Sequence, residues 1–571
     1  MEDRTMNAPE LILTNGKVYS VTLDDEIIRG EAVAVKDGKI FKVGTADEIA
    51  AFASDDTEVI DCHGNTILPG LCDAHCHPSL AASSMAGADL FGVYREEGQS
   101  ADEVIDILMG KLKEYVDANP DKEVIRGTGW VYQIFNPAER MPTRHDIDKI
   151  CADKPVILES FCQHNLWVNT KAIEIAGVDE NTPDTKIGCI YREEDGYPQG
   201  VFNDPEAMEY IRMGVPGYDL SVEEYKQSIL WYQHECANRY GVTFVQDCMH
   251  TDNARQAYKE LAEEGKLTIR LRAVYHLKPE KYEQQMPEFI SRKGTDNVGN
   301  DFRIDTVKMF AEGTFSMLDG YLPDFCDALG VPHDFNGPLY WPDDVFTEYA
   351  AKAMEAGFNV HVHAMGDASV KQSAECLAKA QHIVGKQPRN IIAHVMLTPD
   401  ETAALMGKEK IIANCQPAWM MLESDVSGEI EMFGAEKALQ SYPFRKFIDN
   451  GVTVAFGTDF PVTPPPDTMQ EICAAMTREI TPGSIGYDKF KGQKLGAEEP
   501  ATLAEAIKAL SINGAYQMFG EEFTGSIEEG KSAELVVLDS DLESTPAKDI
   551  YAVKIDKTIF KGKVVFDLAS E

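Results

Sequence analysis

The sequence predicts an α/β protein: a (β/α)8 barrel, a small β-sandwich built from both chain ends, and a large insertion after the first barrel strand. Three observations carry this prediction. Short, β-branched apolar runs alternate with helical segments through the middle of the chain, the pattern of a parallel sheet. There are eight such runs, the count that a closed barrel needs. The two chain ends share a different character, short strands broken by tight turns.

The first 65 residues hold ELILTNGKVYSV, with Asn15-Gly16, and EAVAVKDGKIFKVG, with Asp37-Gly38. Both dipeptides predict hairpins. The far end, from GKSAELVVLDSD to KIDKTIFKGKVVFD, has a turn at Lys561-Gly562-Lys563. Residues 1–67 and 525–571 are therefore read as the two parts of one sandwich. Two separate caps is the other arrangement this pattern allows.

The barrel is read over 68–524. LPGLCDAHCHP (68–78) is strand 1. Strands 2 to 8 are GVTFVQD (241–247), TIRLRAVYH (268–276), DTVKMFAEGT (305–314), FNVHVHAMGD (358–367), NIIAHV (390–395), IIANCQP (411–417) and GVTVAFGTD (451–459). Helical segments such as VFTEYAAKAMEAG and DASVKQSAECLAKAQHIVG separate several of them. Residues 84–235, with GTGWVYQIFNP, KPVILESFCQHNLWVNTKAIEIAGV and YREEDGYPQGV, break the rhythm. They are read as an insertion covering the barrel mouth, where loops carry substrate contacts.

Composition narrows the function. The chain has 571 residues, 44% of them hydrophobic, enough for a barrel of about 250 residues plus additions. A net charge of −42 leaves no basic surplus for nucleic acid or anionic membranes. No apolar run approaches a transmembrane length of about 18 residues. The start, MEDRTMNAPE, is unlike a signal peptide. The 12 cysteines show no paired spacing, which suits reduced thiols of a cytoplasmic protein. The expected partner is a small-molecule substrate, and the expected assembly a homodimer.

In a barrel, catalytic groups sit at strand C-terminal ends. His75 and His77 end strand 1, two apart and so on one face. Lys308 lies in strand 4, His363 ends strand 5, His394 strand 6 and Asp459 strand 8. These are the residue types of a hydrolytic divalent-metal centre. An ammonium cannot ligate a cation, but condensed with CO₂ it becomes a carbamate that can bridge two ions. The apolar neighbours Val307, Met309 and Phe310 disfavour a buried ammonium. The plain alternative pairs Lys308 with a carboxylate such as Glu312. Singly, His394 reads as a core histidine and Asp459 as a helix N-cap; their ordered coincidence favours the metal centre. His361 is read as packing or as a support behind the ligands. Cys72 and Cys76 lack the second ligand pair of a zinc finger. Cys248 and Cys415 are read as packing.

LPGLCDAHCHP, GVTFVQD, VKMFAEGT, HVHAMGD, AHV, QP and GTDFPV, in this order, resemble the amidohydrolase superfamily. The closer resemblance is to amidohydrolase family 3, the branch with N-substituted formamide deformylases. It covers nearly the whole chain, including the split sandwich and the GTGW, QHNLWVN and GYPQGV segments. It implies the metal ligands His75, His77, Lys308 as N6-carboxylysine, His363, His394 and Asp459. Where the branch reads Asp-Gly-Ser, this chain has Glu312-Gly313-Thr314.

The implied activity is cleavage of the C–N bond of an N-substituted formamide or other N-acyl amine by metal-activated hydroxide. One or two divalent ions are expected, and zinc suits the histidine-rich set. Asp459 and His164 are the catalytic candidates, Asp459 moving the proton and His164 holding the carbonyl oxygen. Trp130, Trp167, Asn169, Gln246, Asp319 and Tyr321 are the candidates for holding substrate. A deaminase or cyclic-amide hydrolase is the second reading; Lys308 counts against it, because mononuclear deaminases of the superfamily lack the bridging lysine. A catalytically silent scaffold or binding protein is the third.

Overall fold

A computed structural model describes residues 8–571 apart from 86, 96–97, 136–139, 162–163, 186–187, 314, 330, 423, 464–465, 485 and 497–499. Thr314, in the Glu-Gly-Thr departure, lies outside the described residues.

The two chain ends do share a sandwich. One sheet has six strands in the order Lys563–Asp567, Ile555–Phe560, Leu535–Leu538, Thr66–Pro69, Lys17–Val21, Ile27–Gly30. C-terminal Leu535 pairs directly with N-terminal Pro69, so the ends are not separate caps. A second sheet orders Lys39–Gly44, Ala32–Lys36, Leu11–Thr14 and Glu58–Asp61. Leu13, Val33, Ile67, Leu535 and Ile559 fill the core between the two sheets. The N-terminal part of the sandwich reaches Pro69 rather than residue 67.

One of the two predicted hairpins forms, at Asp37-Gly38, and the turn predicted at the far end closes another. Asp37 (φ 53°) and Gly38 (φ 67°), and likewise Lys561 (φ 51°) and Gly562 (φ 77°), take the left-handed conformations of tight two-residue turns. Asn15-Gly16 is different. It turns the chain, but the flanking strands do not pair; Leu11–Thr14 enters one sheet and Lys17–Val21 the other. A side chain at Gly16 would sit 2.5 Å from Ile67 Cδ1, so the close approach, not a hairpin, requires glycine there.

The barrel strands, numbered along the chain, are β1 (Leu71–Cys76), β2 (Val242–Asp247), β3 (Arg270–His276), β4 (Phe302–Phe310), β5 (Asn359–Ala364), β6 (Ile391–His394), β7 (Ile412–Cys415) and β8 (Val454–Phe456). They pair in parallel, in sequence order. The gap between β8 and β1 is bridged just past β8: the Asp459 N–H donates to the His75 carbonyl (2.8 Å) and the His77 N–H to the Phe460 carbonyl (2.8 Å). Along β5, Val360 and Val362 join the outer core with Val370 and Leu377 of helix Asp367–Val384. Strand alternation therefore turns His361 and His363 inward. The barrel floor is apolar, with Cys72, Phe244, Ile391, Ile412 and Ala455 packed on Ala515 of helix Ile512–Gln517. Fully burying each large apolar side chain contributes roughly 1.5–3 kcal/mol. At the start of β3, buried Arg270 donates to Glu534 (2.8 Å) and joins barrel to sandwich.

The insertion is a folded unit rather than a set of loops. It has a mixed six-stranded sheet, ordered Cys189–Arg192, Pro198–Asn203, Asn165–Val168, Val156–Ser160, Ile125–Trp130, Ala88–Asp89. Helix Ala101–Ala118 begins with a Ser100/Glu103 capping box and buries Val104, Leu108 and Leu112 against this sheet's core. The segment ends earlier than residue 235. Helix Val222–Tyr232 buries Tyr225, Ile229 and Tyr232 in the outer core of the barrel and belongs to its helical layer. No described helix is long and apolar enough to cross a membrane.

Candidate metal centre

The C-terminal ends of β1, β4, β6 and β8 converge on one buried cup. His77 Nε2 donates to Asp459 Oδ1 at 2.9 Å, and His75 Nε2 lies 3.4 Å from the same oxygen. Lys308 Nζ is 3.3 Å from His75 Nε2. The His394 ring lies 4.8 Å from that of His75, tilted at 58° to it, and one donor atom each of His75, His394 and Asp459 lies within 4.8 Å of the others. His363 completes the group at the rim, with its ring 4.6 Å from that of His394.

Local backbone geometry aims these groups. His394 (φ 73°) and Asp459 (φ 60°) are both left-handed, conformations that cost a non-glycine residue roughly 1–3 kcal/mol and cluster at functional sites. Behind Asp459, Gly457 lets β8 touch β1: a Cβ there would stand 2.5 Å from the His75 nitrogen. Buried Asp73 fastens the same seam, accepting from Thr458 N–H (2.9 Å) and Thr458 Oγ1–H (2.6 Å).

Two partners set the imidazoles. His394 Nδ1 lies 2.9 Å from Gln416 Oε1. An amide oxygen only accepts, so Nδ1 carries the proton and Nε2 keeps a lone pair. His361 Nε2 lies 2.9 Å from His75 Nδ1, leaving His75 Nε2 for the cup. His361 thus supports His75 from behind. Burial holds the pKa values of His75, His361 and His363 well below the usual range, so all three are neutral donors. Burial drives the Asp459 carboxyl up, but the His75 and His77 hydrogen bonds outweigh it and hold it well below the carboxylate range.

Lys308 is fully buried, and desolvation lowers its pKa. The suggested pairing with Glu312 does not occur. Glu312 accepts from the N–H groups of Ser316, Met365 (2.5 Å) and Gly366 (2.8 Å) and from Ser369 Oγ–H (2.6 Å). Its carboxylate anchors the loop between β5 and helix Asp367–Val384. Among the described residues, Lys308 Nζ makes no ion pair with a carboxylate. The donor set fits a divalent cation: neutral imidazoles, one carboxylate, and a buried amine with no counter-ion.

Around the cup, Phe310 stacks on His363 (4.9 Å, 29°) and Trp419 on His394 (5.4 Å, 25°). Sequence reasoning passed over both, together with Gln416; the strand spacing Asn414-x-Gln416 was the available signal for the last. His164, from the insertion, comes close enough to His363 to add to the lowering of its pKa by burial, His394 and Lys308, which Asp459 opposes.

The other candidates lie elsewhere. Trp130 is fully buried in the core of the insertion, its indole N–H donating to Leu158 O (3.0 Å). Trp167 packs on it (5.7 Å) and donates to Thr143 O (2.8 Å). Asn169 caps helix Thr170–Ala176 and bonds Val156 N–H (2.9 Å). These three build the insertion instead of touching the mouth. Gln246 does face inward, but below the cup, bonded to Gln517 (2.8 Å). Asp319 is exposed and paired with Lys437 (3.3 Å). Tyr321 donates to Phe315 O and stacks on Phe335 (5.8 Å).

Comparison with known proteins agrees with this arrangement. The family model described as "Amidohydrolase family" matches residues 58–566. The protein named YtcJ of Bacillus subtilis (strain 168) is 26% identical over 559 residues, 97% of this chain and 98% of that one. N-substituted formamide deformylase of Arthrobacter pascens is 24% identical over 575 residues, covering 98% of each. An uncharacterized metal-dependent hydrolase from Pyrococcus horikoshii OT3 superposes with a TM-score of 0.72 at 22% identity, over 94% of this chain and 99% of that one.

Proposed function

The chain belongs to the amidohydrolase family, and from that premise we propose that it hydrolyses the C–N bond of a small N-acyl or N-formyl amine. One observation carries the reading: His75 Nε2, His77 Nε2, Asp459 Oδ1 and Lys308 Nζ meet in a buried cup at the C-terminal end of the barrel.

His75, His77, His363, His394 and Asp459 would hold one or two divalent ions, with zinc favoured by the nitrogen-rich set. Such an ion lowers the pKa of a water from about 15.7 toward 7 and polarises the scissile carbonyl. Lys308 joins the ligands as its carbamate. Burial supplies the neutral amine that attacks CO₂; an N–C bond forms and the amine proton leaves to solvent.

Asp459, held ionised between His75 and His77, takes the proton from water and delivers it to the leaving nitrogen. Without that delivery the amine would depart as an amide anion. His164, beside His363, donates to the carbonyl oxygen as negative charge develops there. Gln416 and His361 keep the imidazoles aimed throughout. Lys308 also weighs against the deaminase reading, because a mononuclear site would have no need of a bridging carbamate.

The test is metal content and turnover over a panel of N-acyl and N-formyl amines, in the wild type and in His75→Ala. Metal binding and turnover should both fall in the variant. Turnover that persists without His75 would overturn the reading.

A further inference from the structure

One side chain against the cup, Cys248, is not used by the proposed chemistry, although it clusters with His75 and His361, which are. Cys248 follows β2, and its N–H donates to Cys76 O (2.9 Å), which locks it to β1. Its Sγ and one nitrogen each of His75 and His361 lie within 4.8 Å of one another, and all three residues are buried. For packing alone the group is costly. His361 is fully enclosed, yet its Nδ1 has no hydrogen-bond partner among the described residues. The thiol makes only a long contact with Gln246 O, at 3.7 Å. An unpaired buried imidazole nitrogen destabilises the fold. A small apolar residue at either position would avoid that cost.

We propose that Cys248, His361 and His75 form a second cation site, containing sulfur, directly beneath the cup, which takes a thiophilic divalent ion such as zinc or cadmium. Zinc–sulfur and zinc–nitrogen bonds of about 2.3 and 2.0–2.1 Å place tetrahedral S and N donors about 3.5 Å apart. The observed spread closes to that with small side-chain rotations. On binding, the thiol proton leaves to solvent and the thiolate, with two imidazole lone pairs, fills three positions of the ion.

His75 is shared between the two sites. Its Nδ1 faces His361 and its Nε2 faces Asp459 and Lys308. An ion on Nδ1 displaces the His361 hydrogen bond and draws electron density from Nε2. Filling the lower site therefore weakens the cup, so cadmium, and zinc only in excess of what the cup itself takes, acts as an antagonist. This inference stands independently of the amide-cleaving reading, because it concerns ligation alone.

The test uses the full chain, stripped of metal and titrated with cobalt(II). The wild type should develop a near-ultraviolet sulfur-to-cobalt charge-transfer band. Cys76→Ser should keep it, because that thiol faces Tyr232 on the other side of β1. Cys248→Ser and Cys248→Ala should lose it while retaining the wild-type circular dichroism. X-ray absorption of the wild type loaded with excess zinc should show a sulfur neighbour at about 2.3 Å, a readout that needs no variant to fold. No sulfur shell in the wild type, or a band that survives in Cys248→Ser, would overturn the proposal.

Discussion

His361 Nε2 stands 2.9 Å from His75 Nδ1, behind the ring rather than in the cup. Partners of this kind fix tautomer and ring orientation, and their loss typically costs about 10–100-fold in metal affinity. His361→Ala should therefore weaken metal binding by about that factor, while His75→Ala removes a ligand and costs more. Competitive chelator titration of the two variants measures the difference. Equal affinity in His361→Ala and wild type would reduce His361 to a packing residue.

Glu312 makes a separate prediction. It is wholly buried, and its two oxygens take N–H groups from Ser316, Met365 and Gly366 and the hydroxyl of Ser369. Each donor left without an acceptor costs about 1–3 kcal/mol. Glu312→Ala should lose at least about 3 kcal/mol in urea unfolding. Glu312→Asp, one methylene shorter, should fall between, because it cannot span both Ser316 and Ser369. A neutral Glu312→Ala would mean that water replaces the carboxylate.

Glycine at 457 is a steric requirement of barrel closure. A Cβ there would meet His75 N at 2.5 Å and His75 Cβ at 2.6 Å. Because those atoms include backbone, they cannot swing aside. Gly457→Ala should push β8 from β1, at a cost of about 1–3 kcal/mol as for other overpacked sites. It should also lower metal stoichiometry, since His75 and Asp459 flank the seam. Thermal melting together with metal analysis separates this from simple loss of stability.

These residues also show how far the sequence could be read. His75, His77, Lys308, His394 and Asp459 were visible because strand alternation and strand-end position predict both face and depth. His361 and His363 share one face, so periodicity could not rank them; the support to His75 appears only when β1 and β5 are seen in register. The insertion was less legible. Trp130 and Trp167 lie in segments that interrupt the barrel rhythm and read as mouth contacts, but a six-stranded mixed sheet folds them into its own core. Long-range pairing of that kind leaves no local signature. Asn15-Gly16 misled for a similar reason: a turn residue states that the chain bends, not which strand it will pair with.

The join between barrel and sandwich rests on Arg270 and Glu534, 2.8 Å apart, with side chains 6% and 0% exposed. Removing one partner of a buried pair leaves the other charge uncompensated, at about 3–5 kcal/mol. Arg270→Ala should show a loss in that range; Glu534→Ala should lose less, because Arg270 keeps its ion pair with Asp301 (3.1 Å). Replacing both residues with apolar ones of similar volume should recover much of it. Chemical denaturation of the single and double variants tests this, and equal losses in the two would argue against an electrostatic origin.

Lys308 gives the last prediction. Its buried Nζ touches His75 Nε2 at 3.3 Å, and desolvation favours the neutral amine. A carbamate there would add an oxygen donor to the cup and a negative charge to offset that of a bound cation. Activity of metal-free protein reloaded with zinc should then rise with bicarbonate. Lys308→Ala should lose most turnover, and a short carboxylic acid such as propionate should restore part of it by occupying the vacated space with the same charge. The rescue separates a ligating role from a structural one, because an added carboxylate cannot repair misfolding. Bicarbonate independence together with failed rescue would mean that Lys308 serves as an amine, leaving His75, His77, His363, His394 and Asp459 to hold the ion alone.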